Sequence, residues 1–244
     1  MTAPTPDPRL VAFIGDIHGH FKRMADTVAA LPDSVTRIFQ VGDMGLYPPH
    51  LVSEDCWFVA PPRTVEYIDG NHEDFTILRD IASPTELRPN LVYLPRGTVL
   101  DVEGLKIGFL GGAESRDHAR RTEGTDWFEY DEKTTVRDAW KFSHVEHLDI
   151  LVTHAPPRWA MLELFPNEPV ENLPSSQVVE QVWEGFGRPT LICGHVHPEK
   201  TGAMYHPDGQ GGPVYVVAID DALVIDPKTL QPVLLPTRTQ ARKR

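Results

Sequence analysis

The 244-residue chain is 41% hydrophobic and carries a formal net charge of -12. That balance allows a sizeable buried core and argues against a protein that coats nucleic acid. No apolar run approaches the ~18 residues of a membrane-spanning helix, and two cysteines far apart, Cys56 and Cys193, argue against a disulfide framework and for a reducing cytoplasm.

Residues 1–8 contain no basic apolar stretch and read as a disordered lead-in rather than a targeting peptide. Residues 10–15 form a short continuous apolar run, the pattern of a strand buried on both faces. It ends at Asp16-Ile17-His18. Phe21, Met24, Ala25 and Val28 then follow at helical spacing within 21–31. A second strand is expected at 38–42, ending at Asp43, and a third at 65–68, ending at Asp69-Gly70-Asn71-His72. A helix is expected over 75–81. Strands at 91–94, 98–102 and 105–110 come next, the last two joined by a turn at Glu103-Gly104. The charges of 131–138 read as a solvated helix start. Another apolar strand, 149–153, ends at His154. A polar loop at 167–174, a helix at 175–186 and a strand at 190–193 lead to Gly194-His195-Val196-His197. The chain closes with strands at 214–218, 223–225 and 233–235, a tight turn at Asp220-Asp221, and a basic disordered tail over 237–244. Two sets of strands flanked by helices imply two sheets packed face to face with helices outside, in one domain over 9–236.

Each of five clusters of metal-ligand residues follows the carboxyl end of an expected strand, the edge where open α/β sheets bind ligands. Seven residues in them offer oxygen or imidazole nitrogen: Asp16, His18, Asp43, Asn71, His154, His195 and His197. Seven donors suffice for two divalent ions sharing one carboxylate, and such a pair can clamp the oxygens of a phosphoryl centre. In an extended segment residues i and i+2 point the same way, so Asp16 and His18 are expected to face one side together, as are His195 and His197. Each short motif alone is weak; all five in order are not.

The set Asp16-Ile17-His18, Gly42-Asp43, Gly70-Asn71-His72-Glu73, His154 and Gly194-His195-Val196-His197 resembles the calcineurin-like metallophosphoesterase superfamily over residues 10 to about 225. The resemblance implies a four-layer α/β/β/α sandwich of two mixed sheets with flanking helices. It implies that Asp16, His18 and His197 hold one metal, that Asn71, His154 and His195 hold another, and that Asp43 bridges both. A hydroxide between the ions would attack phosphorus, and His72 would act on the leaving oxygen. One departure is Leu46, which stands where the family pattern has Asp or Arg. That argues against a protein phosphatase and leaves the partner of His72 open, with Glu73 and Asp74 adjacent.

A further segment, Gly111-Gly112-Ala113-Glu114-Ser115-Arg116-Asp117 with Arg120 and Arg121, resembles a glycine-rich strand end found in many bacterial and phage metallophosphoesterases. It makes Arg116, Arg120 and Arg121 candidates for holding a substrate phosphate, balanced against a solvated charged loop. Trp127, Phe128 and Tyr130 could line a cleft or pack locally. Cys193 reads as buried and apolar, and His20, His50, His118, His144, His147 and His206 as scattered surface residues.

With no thiolate among the seven donors, Mn²⁺ is favoured, with Fe, Zn²⁺, Co²⁺ or Ni²⁺ as alternatives. The expected substrate is a small or nucleotide phosphoester, diester or monoester. A nuclease acting on DNA or RNA ends or unusual linkages is the alternative, disfavoured by the lack of a long basic stretch. A protein phosphatase and a non-catalytic scaffold follow, the complete donor set and His72 arguing against the scaffold.

Overall fold

The computed structural model describes residues 9–234. The disorder expected at 1–8 and 237–244, and residue 235 of the last expected strand, lie outside the described residues. In chain order the elements are β1 (Leu10–Ile14), α1 (Phe21–Ala30), β2 (Val35–Gln40), β3 (Val65–Tyr67), α2 (Phe75–Leu78), β4 (Thr85–Arg88), β5 (Leu91–Tyr93), β6 (Thr98–Val102), β7 (Leu105–Leu110), α3 (Val136–Trp140), β8 (Ile150–Thr153), α4 (Arg158–Leu164), α5 (Pro174–Gly185), β9 (Thr190–Cys193), β10 (Gly202–Met204), β11 (Val214–Val216), β12 (Ala222–Asp226) and β13 (Gln231–Pro232). They build a seven-stranded sheet, β13-β12-β1-β2-β3-β5-β4, and a six-stranded sheet, β10-β11-β9-β8-β7-β6. Both are mixed: parallel in the middle, antiparallel toward the edges.

Strand alternation sorts the side chains into three apolar layers. From β1, Leu10, Ala12 and Ile14 meet Phe21, Met24 and Val28 of α1 on the outer face of the first sheet. Val11 and Phe13 point the other way, into a core between the sheets shared with Phe39, Phe109, Ile150, Val152 and Ile192. Leu110, Leu151, Leu191 and Cys193 leave the second sheet on its far side, against Val179, Val182 and Trp183 of α5. The result is the four-layer α/β/β/α sandwich. Phe13, Phe39 and Phe109 link the sheets, with ring centroids 5.7 and 4.9 Å apart.

The sequence misplaces several boundaries for physical reasons. β2 begins at Val35, pairing with Leu10, and stops at Gln40 because Gly42 turns the chain with φ 102°. The expected helix at 75–81 is only α2, capped by Asp74, whose side chain accepts from Thr76 N. Among the described residues near the end, 231–232 form the strand rather than 233–234. β4 and β10 are short edge strands with weak apolar patterning. Asp138 is not solvated: it completes a capping box with Thr135 and pairs with Arg96 at 3.4 Å. The hairpin at Glu103-Gly104 has positive φ at both residues, the two-residue turn that suits strand twist. No helix among the described residues is long and apolar enough to cross a membrane.

What positions the site is the shared direction of six strands. β1, β2 and β3 run parallel in one sheet, and β7, β8 and β9 run parallel in the other. Their carboxyl ends deliver Asp16, Asp43, Asn71, Gly111, His154 and His195 in turn.

Phe109 is fully buried between the sheets. Phe109→Ala should therefore cost about 3–5 kcal/mol in urea unfolding, the range for a truncated core aromatic. A loss under ~1 kcal/mol would contradict the inter-sheet packing described.

Candidate metal centre

Asp16 and Asp43, the two acids in the cluster, are almost fully buried. One group of donors comprises Asp16, His18, Asp43 and His197, with ligand atoms all within 4.8 Å of one another. His197 Nε2 lies 2.9 Å from Asp16 Oδ2 and 3.0 Å from His18 Nε2. His18 Nε2 lies 3.7 Å from Asp43 Oδ2. The other oxygen of Asp43 faces different residues: His154 Nε2 is 3.2 Å from Oδ1. That same nitrogen is 3.2 Å from Asn71 Oδ1. The His195 ring stands 5.0 Å from the His154 ring. Asp16, His18, Asp43 and His197 thus form one close group, Asn71 and His154 meet at the other oxygen of Asp43, and the His195 ring stands beside His154.

The route to this convergence differs from the extended-segment expectation. His18 and His197 have φ of 45° and 46°, and Asp43 and His195 of 56° and 69°. These are left-handed conformations, uncommon for residues with a Cβ and typical of functional sites. The turn at His18 brings it toward Asp16 and His197. The turns at His195 and His197 send the two imidazoles to different sets instead of one. A pleat would have kept each pair together.

Glycines let the loops touch. A Cβ on Gly194 would lie 2.0 Å from Asp16 Oδ1, and one on Gly70 would lie 2.1 Å from Asp43 Oδ1. Neither space exists in any L-residue with a side chain. Polar groups that sequence reasoning missed then fix the loops. Buried Gln40 donates to the carbonyls of Gly15 and Gly42 and accepts from Gly42 N, tying the ends of β1 and β2. Glu73 turns inward and accepts from Met44 N at 2.7 Å and Gly45 N at 3.2 Å. Its burial, with Asp43 nearby, pushes its carboxyl well above the usual range.

Asn71 is oriented through a three-residue chain. Ser115 Oγ donates to Glu132 Oε2 at 2.7 Å, and Ser115 N donates to Glu132 Oε1 at 2.8 Å. The hydroxyl oxygen then accepts from Asn71 Nδ2 at 3.2 Å. With its NH₂ so engaged, the Asn71 amide oxygen faces His154 Nε2. His154 is oriented likewise: its Nδ1–H donates to Val41 O at 2.9 Å, turning Nε2 inward. A serine in a glycine-rich loop and an acid seventeen residues later carry no periodic signal that links them.

His72 stands beside the cluster, half-buried. Its backbone N–H donates to Asp43 Oδ1 at 2.8 Å, and its Nε2 is 3.9 Å from Asp43 Oδ2. Neither adjacent acid faces its ring, since Glu73 and Asp74 are engaged as described. Its ring neighbour is Arg121, whose Nη2 meets the imidazole. Arg121 also donates from Nε to Asp117 at 3.0 Å and from Nη1 to the carbonyls of Asp126 and Asn71. The other two arginines go elsewhere. Arg116 pairs with Glu168 and lies over Phe165, and Arg120 is exposed. Leu46 packs into the apolar layer under the loop. Phe128 joins that layer, Trp127 donates to Glu132, and Tyr130 is exposed. His118 stacks on Trp127, and His206 packs against Trp159 rather than standing free on the surface.

Charge in the cluster is strongly coupled. Burial would raise the Asp43 carboxyl, but His154, His72 and His18 hold it well below the usual range. Burial likewise opposes a charge on His154, yet Asp43 carries its pKa up to about 10. Burial, then the nearby His154, brings His195 down to about 3. His72 falls to about 4 through burial, with Asp43 opposing and the Arg121 guanidinium reinforcing the drop. An all-oxygen-and-nitrogen donor set with two buried carboxylates suits divalent cations of intermediate hardness.

The family model for calcineurin-like phosphoesterases matches residues 9–199, a span that contains every donor from Asp16 to His197. No curated protein matches the chain.

The orientation of Asn71 by Ser115 predicts that Ser115→Ala weakens metal uptake by the Asn71–His154–His195 set about 10–100-fold. The Asp16–His18–His197 set should keep its affinity in the same titration; equal loss at both would contradict the arrangement. A second expectation concerns protons. His154 is charged in the metal-free protein at neutral pH, because its pKa near 10 exceeds the ordinary 6.5. A metal taken up at His154 Nε2 would displace that proton, so such uptake would release it and tighten as pH rises toward 10. By the same sign, the His154–Asp43 pair stabilises the metal-free fold fully below pH 6.5, and this contribution is lost as pH climbs through about 10. Calorimetric metal titrations in buffers of different ionisation enthalpy should show the proton release; a buffer-independent heat would contradict it.

Proposed function

The chain belongs to the calcineurin-like phosphoesterase family, and from that premise we propose that it is a dinuclear-metal-dependent hydrolase of phosphoesters, acting on nucleotide or other small substrates. The observation that carries this reading is the position of Asp43. Its Oδ2 lies toward His18 and its Oδ1 toward His154, so a single carboxylate serves both donor sets. Asp16, His18 and His197 would hold one cation, Asn71, His154 and His195 the other, and Asp43 both. Mn²⁺ is favoured among ions this donor set accepts. Cations held there would supply neutralisation of phosphoryl oxygens and would acidify a water for attack at phosphorus.

The chain's own residues then divide the remaining work. His72 is neutral at physiological pH by the direction of its shift and stands beside the donor cluster on a loop held by Asp43. It hydrogen-bonds the leaving oxygen as charge develops there. Arg121 acts through His72: its donors are committed to Asp117, Asn71 and Asp126, and its remaining nitrogen rests on the imidazole. It fixes the ring and adds positive charge beside it. Arg116, committed to Glu168, does not supply a fork for a dianionic phosphate, and Leu46 offers no charge. A monoanionic diester loses least from the lack of such a fork. The reading places the activity in one domain over 9–236 and, with two free thiols, in a reducing cytoplasm.

Elemental analysis of folded protein grown with Mn²⁺ should find about two ions per chain, with Asp43→Asn losing most; no uptake by the wild type would refute the proposal. His72→Ala should keep its metals and lose about 10²–10⁴-fold in turnover, more for poor leaving groups than for nitrophenolate. Metal loss matching that of His195→Ala would refute that role. Across nitrophenyl phosphate, bis-nitrophenyl phosphate, cyclic nucleotides and oligonucleotides, diester turnover should at least equal monoester turnover. A monoester preference of ~100-fold or more, about 2.7 kcal/mol of discrimination, would overturn the diester assignment.

A further inference from the structure

A second group of donors lies behind the Asp16–His18 loop and takes no part in the centre described above. His20 precedes α1, and its Nδ1 is 4.0 Å from Asp55 Oδ2 and 4.0 Å from Cys56 Sγ. The three ligand atoms all lie within 4.8 Å of one another. His20 Nδ1 is 4.0 Å from each of the other two donors, close enough that one cation could reach all three after a small side-chain adjustment. The separations are too long for strong hydrogen bonds between the donors. Asp55, which is exposed, accepts from Ser53 Oγ through Oδ1 and leaves Oδ2 toward His20.

The surrounding chain supplies an independent observation. Backbone N–H groups at Tyr47, Leu51, Cys56 and Trp57 bond only to carbonyls at 45, 48, 53 and 54. Among the described residues, no backbone hydrogen bond of segment 47–57 leaves that neighbourhood. The segment holds two short 3₁₀ turns, Pro49–Leu51 and Glu54–Cys56. Its side-chain contacts with the body include half-buried Tyr47 near Glu73 and Arg121, Cys56 against the His18 carbonyl, and the adjoining Phe58 on Phe21, 5.2 Å between centroids. The Cys56 thiol reaches His18 O at 3.9 Å, and a Cβ on Gly19 would meet Cys56 Cβ at 3.3 Å. Cys56, where this segment touches the loop of Asp16 and His18, is also one of the three converging donors.

We propose that His20, Asp55 and Cys56 form a separate site for a thiophilic divalent cation of the Zn²⁺, Cd²⁺ or Co²⁺ class, with water as the fourth ligand. The thiol sulfur separates it chemically from the seven-donor centre, which has no sulfur. Binding transfers the Cys56 proton to solvent and forms a metal–thiolate bond. The bound ion clasps segment 47–57 onto the loop that carries Asp16 and His18.

Because the chain has two cysteines, a thiolate signal can come only from Cys56 or Cys193. Co²⁺ titration of the full chain, followed by near-ultraviolet absorption, reads thiolate ligation directly. A sulfur-to-cobalt charge-transfer band is expected in the wild type and in Cys193→Ala. It should vanish in Cys56→Ser, and in His20→Ala its midpoint should rise at least ~10-fold. No band at Co²⁺ levels that saturate uptake, or a band that survives Cys56→Ser, overturns the site. A measurement on the unmodified protein guards against misfolded variants: saturating Zn²⁺ should slow iodoacetamide labelling of Cys56 at least ~10-fold, and equal rates overturn the site as well. Neither readout depends on the dinuclear reading.

Discussion

One buried carboxylate organises the molecule's working edge. Asp43 sits in a left-handed turn after β2, nearly inaccessible to water, with the His18 and His154 imidazoles and the His72 backbone N–H around its carboxylate. A lone carboxylate at such depth is costly unless paired. Here His154 and His18 approach its two oxygens from two different sheets. The pairing that offsets its burial is also what brings the carboxyl edge of one sheet against that of the other. The His154 imidazole beside it, its pKa raised by the carboxylate, fills that need. On the proposed reading the same carboxylate serves folding and chemistry.

The remaining loop structure follows from letting that carboxylate and Asp16 be approached. Gly70 and Gly194 give up their side chains so that Asp43 and Asp16 can occupy the space. Gln40 and Glu73 bind the backbone of neighbouring ligand loops, so that His18, Asp43 and the 70–73 turn hold together. Ser115 and Glu132 bring the glycine-rich segment after β7 into the same scheme by fixing which end of the Asn71 amide faces inward. Arg121 completes it from the far side of His72. None of these groups is a donor in the cluster, yet each removes a freedom that a donor would otherwise have.

Much of this was legible in the sequence. Parallel strands buried on both faces leave short apolar runs, and each run here ends at a ligand, so the order and edge of the clusters could be read from residues 10–15, 65–68, 149–153 and 190–193. The two-sheet sandwich followed from the same runs and from helical spacing at Phe21, Met24 and Val28. The backbone of the ligands was not legible: left-handed φ at His18, Asp43, His195 and His197 is imposed by contacts between loops distant in sequence. For the same reason Arg121 could not be told from Arg116 and Arg120, since a single 3₁₀ turn, His118–Arg120, decides which of them points at His72. Asp138 read as a solvated charge because its partner, Arg96, lies forty-two residues away.

The central claim is that Asp43 is shared by two ions. Electron paramagnetic resonance of the Mn²⁺-loaded protein tests it most directly, because two Mn²⁺ ions bridged by one carboxylate are magnetically coupled. The account predicts a coupled spectrum in the wild type that Asp43→Asn converts to that of isolated Mn²⁺ or abolishes. A wild-type spectrum showing only isolated Mn²⁺ at full occupancy would contradict it.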